Sequence, residues 1–95
     1  MNFEWDEAKN ASNYAKHGIR FEEAVRIFTE PVVTSIDTRE DYGEVREISI
    51  GRLYNVVCIT VVHTDRDGVL RVISARRANR SERKKFDDYY QKITR

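Results

Sequence analysis

The sequence predicts an α+β fold in which two N-terminal helices and a C-terminal helix pack on a three- or four-stranded antiparallel sheet. Three observations carry that expectation. Apolar residues recur at helical spacing near both ends of the chain, the stretch from Pro31 to Arg77 changes to the two-residue period of strands, and turn compositions divide that stretch into segments. Ninety-five residues leave room for one hydrophobic core, so a single domain over 1–95 is expected.

Taken in order, Asn2 to Trp5 reads as a short strand or extended lead-in, with Trp5 expected to anchor the first helix to the sheet. Asp6 is an N-cap, because its carboxylate can accept from the orphan N–H groups of the first turn, and Gly18 supplies the stop after His17. On that helix Ala8, Ala11, Ser12 and Ala15 form a small-residue stripe, while Lys9, Asn13 and Lys16 fall on a different face with His17 beside them. A second helix is expected in FEEAVRIF, where Phe21, Ala24, Val25 and Phe28 share a face, ending before Pro31. Strands are expected at VVTSID, EVREISIG, NVVCITVV and VLRVISARR, joined as a meander through turns at 37–43 and 65–68, with the apolar third strand central. The last helix begins near Asn79 or Ser81. Glu82 completes a capping box with Asn79, and Phe86, Tyr89, Tyr90 and Ile93 make the apolar face.

Composition narrows the function classes. With 40% hydrophobic and 35% charged residues, the chain is too apolar for disorder. No apolar run has the roughly 18 to 20 residues a membrane span needs, and the acidic start lacks the order of a signal peptide, so a cytoplasmic location is expected. Cys58 is the single cysteine and has no partner for an internal disulfide. With His17 and His63 it matches no metal-ligand spacing, so neither a metal nor a cofactor is expected. Cys58 itself reads as a core residue, and His63 as a surface or hairpin residue at the end of its strand. The net charge of +1 hides a polarity: residues 1–50 carry six basic against eleven acidic side chains, and residues 51–95 carry eleven against five. From Arg71 to Lys85 seven basic residues face only Glu82, a pattern that suits an anionic partner or simply a solvated surface.

Two constellations could carry chemistry. Lys9, Asn13, Lys16 and His17 place two cations, an amide and an imidazole along one helix face, a set able to bind a phosphodiester and exchange a proton near neutral pH. An ordinary polar face ending in a last-turn histidine gives the same pattern. The second is RVISARRANRSERKK, in which a strand delivers Arg71, Ser74, Arg76 and Arg77 and the following helix adds Arg83, Lys84 and Lys85. Strand parity puts Arg71, Ile73 and Arg77 on one face and Ser74 and Arg76 on the other unless a bulge intervenes. Tyr42, Tyr54, Tyr89 and Tyr90 could stack on bases, although packing suits at least the last two. A phosphate-binding glycine loop, a GxSxG elbow and a carboxylate cluster for Mg²⁺ are all missing, and the last of these absences disfavours a metal-dependent nuclease.

The order and spacing of Phe3-Glu4-Trp5-Asp6, Lys9, Asn13, Lys16-His17-Gly18, Phe21-Glu22-Glu23-Ala24, Gly43-Glu44 with Arg46, Ile73-Ser74-Ala75-Arg76, Ala78 and Glu82-Arg83 resemble the BrnT family of toxins over nearly the whole chain. The resemblance implies the toxin of a type II toxin-antitoxin pair with a RelE-like ribonuclease fold, inhibiting translation by RNA cleavage. It further implies a BrnA-like antitoxin with a ribbon-helix-helix DNA-binding part, through which the complex reaches operator DNA and represses its own operon. In that setting cleavage without metal uses the substrate's 2′-OH. His17 is then the acid or base, Lys9 and Lys16 clamp phosphate or serve as a lysine base, and Arg71 and Arg76 stabilise added negative charge. Asn13 and Ser74 are lower-ranked substrate contacts, and Arg77, Arg83, Lys84 and Lys85 extend the RNA-binding surface. A non-catalytic basic binding module and a structural subunit of a DNA-binding repressor are the alternatives.

Overall fold

The computed structural model describes residues 1–94. Asp6 caps α1 (Glu7–His17), accepting from the N–H groups of Ala8 and Lys9 at 2.8 and 3.2 Å. Gly18 ends it in the left-handed region at φ 72°, which lets its N–H reach the carbonyl of Tyr14. At the other end of the chain Asn79 and Glu82 form a complete capping box for α3 (Arg80–Ile93).

Between them lie α2 (Phe21–Ala24) and four strands, β2 (Val33–Ile36), β3 (Glu47–Leu53), β4 (Val57–Arg66) and β5 (Val69–Arg77), preceded at the N-terminus by β1 (Asn2–Glu4). The order in the sheet is β1-β5-β4-β3-β2. The expected antiparallel meander is present from β2 to β5, but the sheet is five-stranded and mixed, because β1 lies parallel to β5 with Phe3 opposite Leu70. Three residues cannot announce such a partner locally; tertiary packing, including Phe3 against Phe28 at 5.7 Å, supplies it.

The helices also depart from expectation. FEEAVRIF makes one α-turn, α2, and then a 3₁₀ segment, Val25–Thr29, in place of a single helix. That segment sits hard against the sheet at Gly51, where an added Cβ would lie 2.9 Å from Ile27 Cβ and 3.0 Å from Val32 Cγ1. Nor do the helices share one layer. Phe21, Ala24 and Ile27 close a core over Leu53, Ile59, Val61, Val72 and Ala75 on one sheet face, while α3 brings Phe86 to Ile50 and Ala78 on the other. Trp5 packs edge-on against Phe21 at 6.2 Å, anchoring the start of α1 as expected. The alanines of the small-residue stripe are exposed, and the buried side chains of α1 are Asn10 and Asn13.

His63 corrects another expectation. The hairpin turn falls at Asp67-Gly68, both with positive φ, so β4 continues to Arg66 and His63 lies inside the sheet at 4% exposure. Its Nε2 meets Ser49 Oγ at 2.7 Å, Ser49 meets Thr34 Oγ1 at 2.8 Å, and Phe28 packs against the ring at 5.3 Å. Burial pushes the imidazole pKa down to about 4, with the charge of Asp65 opposing the shift.

A histidine neutral in the fold and free to protonate when unfolded draws protons to the unfolded chain between its two pKa values. Stability should therefore be fully present above about pH 6.5 and fall toward pH 4 by up to ~1.4 kcal/mol per pH unit. Urea melts across that window should show the slope, and His63→Gln should flatten it; an equal slope in both proteins would assign the acid sensitivity to other groups.

Candidate functional site

The site begins with two buried amides. Asn10 Oδ1 accepts from the N–H of Phe21 at 2.8 Å, and its Nδ2 donates to the Glu22 carboxylate, a bond that is the main cause of that carboxyl's lowered pKa. Asn13 Nδ2 donates to the carbonyls of Ile19 and Ala75, both at 2.9 Å, while its Oδ1 accepts from the N–H of Ala75 at 3.1 Å. These bonds fasten α1 along β5 and fold the 18–20 loop back under it. Both Asn13 donors and its oxygen are spent inside the protein, so Asn13 positions the helix; the sequence offered it as a substrate contact.

With α1 fixed, Lys9, Ser12, Asn13, Lys16 and His17 line a cleft of about 180 Å³ whose floor is Ile73 and Ser74. Lys9, Lys16 and His17 are exposed and have no ion-pair partner among the described residues. Two ammonium groups and an imidazole around a small polar recess can hold an anion and exchange a proton beside it.

A β-bulge decides what joins them. His63 pairs with Val72 but Val62 pairs with Ser74, so Ile73 is an extra residue on β5. Regular alternation would separate Arg71 from Ser74 and Arg76. The bulge instead puts all three opposite Thr64, Val62 and Thr60, on one face of the sheet, and leaves Arg77 opposite Ile59 on the other.

The arginines do not converge on the cleft. Arg71 is held by Glu4 at 3.0 Å. Arg76 makes a two-point pair with Glu82 at 2.8 and 2.9 Å, and Glu82 also accepts from the Asn79 N–H, so strand end and helix start are tied through one carboxylate. Arg83 donates to the Ala78 carbonyl and Lys84 pairs with Asp88, while Arg77 and Lys85 are exposed with no ion-pair partner among the described residues. Cys58 is half-buried against the Phe86 cluster and is not a fully buried core residue, and burial raises its thiol pKa, which favours the unreactive thiol. No three His, Cys, Asp or Glu side chains come together as a metal site among the described residues, and no described helix is long and apolar enough to cross a membrane.

A larger groove, about 440 Å³, lies elsewhere, between the 3₁₀ segment, the β3–β4 turn and α3. Sequence reasoning named its Tyr54 and Tyr90 as possible stacking residues but missed Arg26 and Arg52, which are far apart in the chain and meet only in the fold. Of the other aromatics weighed for stacking, Tyr89 is exposed on α3, and Tyr42 is covered by the Arg46 guanidinium at 3.8 Å and donates to Asp37.

Comparison with known proteins gives two matches of consequence. The family described as "Ribonuclease toxin, BrnT, of type II toxin-antitoxin system" matches residues 5–82. Among solved structures, the crystal structure of the Brucella abortus ribonuclease toxin BrnT is similar at a TM-score of 0.65 and 28% identity, over 84% of this chain and 99% of that one. No match was found among curated proteins.

Asn13→Ala should leave the N–H and carbonyl of Ala75 and the carbonyl of Ile19 without their side-chain partner. The expected loss is roughly 3 kcal/mol in chemical denaturation. Asn13→Asp should not rescue it, because a carboxylate would face two carbonyls; stability within about 0.5 kcal/mol of the parent would show that α1 is held by something else.

Proposed function

Because the chain belongs to the BrnT family of ribonuclease toxins of type II toxin-antitoxin systems, we propose that the α1–β5 cleft is its RNA-cleaving site and acts through the substrate's own 2′-OH without a metal. The observation that carries this reading is the meeting of Lys9, Lys16 and His17 over Ser74 in one recess, from opposite ends of the sequence. The 2′-oxygen attacks phosphorus as its proton leaves to a base, and the P–O5′ bond breaks as the 5′-oxygen gains a proton. The products are a 2′,3′-cyclic phosphate and a 5′-OH. His17 exchanges a proton with the substrate, and Lys9 and Lys16 hold the phosphate whose charge grows in the five-coordinate state.

Ser74 offers its hydroxyl from the floor, and Arg71, on the same sheet face, adds positive potential. Arg76, engaged by Glu82, serves the site by fixing the end of β5 to α3. Arg77, Arg83, Lys84 and Lys85 form the outer RNA-binding surface, where contacts to phosphates release counterions. The toxin domain works in the cytoplasm and inhibits translation. Its partner is a BrnA-like antitoxin with a ribbon-helix-helix part, which covers the basic stretch and carries the complex to operator DNA. The second reading is a non-catalytic binding module, in which the exposed Arg77 and Lys85, without ion-pair partners among the described residues, dock an anionic partner while Arg71 and Arg76 stay with their carboxylates.

His17→Ala and Lys9→Ala should each lower cleavage of defined RNA by about 10² to 10⁴-fold while the protein stays folded. Activity should persist in EDTA and leave cyclic phosphate ends. Losses below about tenfold in both variants would remove the cleft from the reaction, and inhibition by EDTA would overturn the metal-free route.

A further inference from the structure

We infer that the groove between the 3₁₀ segment, the β3–β4 turn and α3 is a subsite for one nucleotide of single-stranded RNA, apart from the cleft; this rests on the RNA-cleaving reading above. Its volume of about 440 Å³ lies within the range of small-ligand sites and suits one nucleotide. Its walls present planes and charge together. The Arg52 guanidinium lies 4.6 Å from the Tyr90 ring centre, and Tyr90 in turn stacks on Phe86 at 5.7 Å. Across the groove Arg26 lies over the ring of Tyr54 at 5.5 Å. A guanidinium backed by an aromatic ring offers its outer face to a base and its edge N–H groups to phosphate oxygens.

The turn that carries Tyr54 is built at a cost. Tyr54 and Asn55 have φ of 54° and 59°, and the Val56 N–H closes the turn on the Leu53 carbonyl. A tyrosine in the left-handed region is disfavoured by about 1 kcal/mol or more, and a glycine would relieve it. That strain falls on the two residues that form the groove's outer wall, with the Tyr54 side chain 59% exposed and tethered by its hydroxyl to Glu23.

Charge availability favours a nucleotide. Arg26 has no ion-pair partner among the described residues, and Arg52 has only a 3.6 Å approach to Asp87. Glu30 and Asn55 are in the same lining, where the carboxylate and the amide oxygen can accept from the amino-bearing edge of a base. The sheet also connects the two sites. Ser74 aligns through Val62 with Ile48 on β3, four residues before Arg52, so the floor of the cleft and Arg52 are roughly 16 Å apart across two strand spacings. A few nucleotides of extended strand cover that span.

Two measurements test this. The first is the ratio of kcat/KM for an octanucleotide over a dinucleotide, which should fall roughly ten- to hundredfold in Tyr54→Ala and Arg52→Ala through a raised KM for the longer substrate. Tyr54→Phe, which keeps the ring and loses the Glu23 tether, should retain the parent ratio. The second is an NMR titration of the His17→Ala chain with the octanucleotide, which should shift the resonances of Arg26, Tyr54 and Asn55. If the parent cleaves RNA with an unchanged ratio in both alanine variants and no such shifts appear, the subsite is wrong while the cleavage reading stands. If no RNA is cleaved but the shifts appear, the cleavage reading falls and the subsite holds. Shifts produced by an antitoxin and not by RNA would make the groove a protein-docking site and overturn the proposal.

Discussion

The edge of β5 beyond Arg71 is the constraint on which the rest depends. β1 pairs with β5 only as far as Arg71, and an exposed run of backbone N–H and carbonyl groups past that point would invite pairing with another chain. The protein covers that edge at Ala75, four residues on, with a side chain. Asn13 gives Ala75 the donor and acceptor that a neighbouring strand residue would provide. The helix is therefore where it is because the sheet edge needs an amide there, and Lys9, Lys16 and His17 are carried to β5 by the same requirement. Structure and candidate chemistry share one anchor.

A similar economy marks the other end of β5. Glu82 accepts from the Asn79 N–H, as any capping-box glutamate does, and also takes both arms of Arg76. Its carboxyl pKa is lowered, with burial opposing the effect of the arginine and the N–H. The cost of placing a carboxylate there is offset by three charge-assisted bonds. The junction also delivers Ala78 and Phe86 to the second core cluster, so α3 is held by electrostatics at its start and by packing one turn later.

What the sequence disclosed was what short-range chemistry specifies. Asp6 and Gly18 bound α1, Asn79 and Glu82 begin α3, and the strands between Val33 and Arg77 show in their alternation, because caps and strand periods involve neighbours in the chain. The family resemblance was likewise carried by spacing. What stayed hidden depends on partners distant in sequence: the parallel pairing of β1, the burial of His63 in a strand that continues four residues past the end of its apolar run, and the packing of the 3₁₀ segment onto Gly51. For the candidate site, the cleft residues Lys9, Lys16, His17 and Ser74 were all legible, whereas the engagement of Arg71 and Arg76 by Glu4 and Glu82 was not. Residue type indicated a cation in each case, and only the fold shows whether that cation is already matched.

The bulge at Ile73 makes the place of a length change in β5 matter more than its size. Removing Ile73 itself would leave Arg71, Ser74 and Arg76 in regular alternation on their present face, with Val72 and Ala75 still opposite His63 and Val61. Removing Ala75 would instead bring Arg76 opposite Val61, a guanidinium in the core. The bulge is thus the one joint at which this stretch of β5 can shorten by a codon without exchanging its inside for its outside, and related chains that share this face can align with a gap at residue 73 but not two residues later.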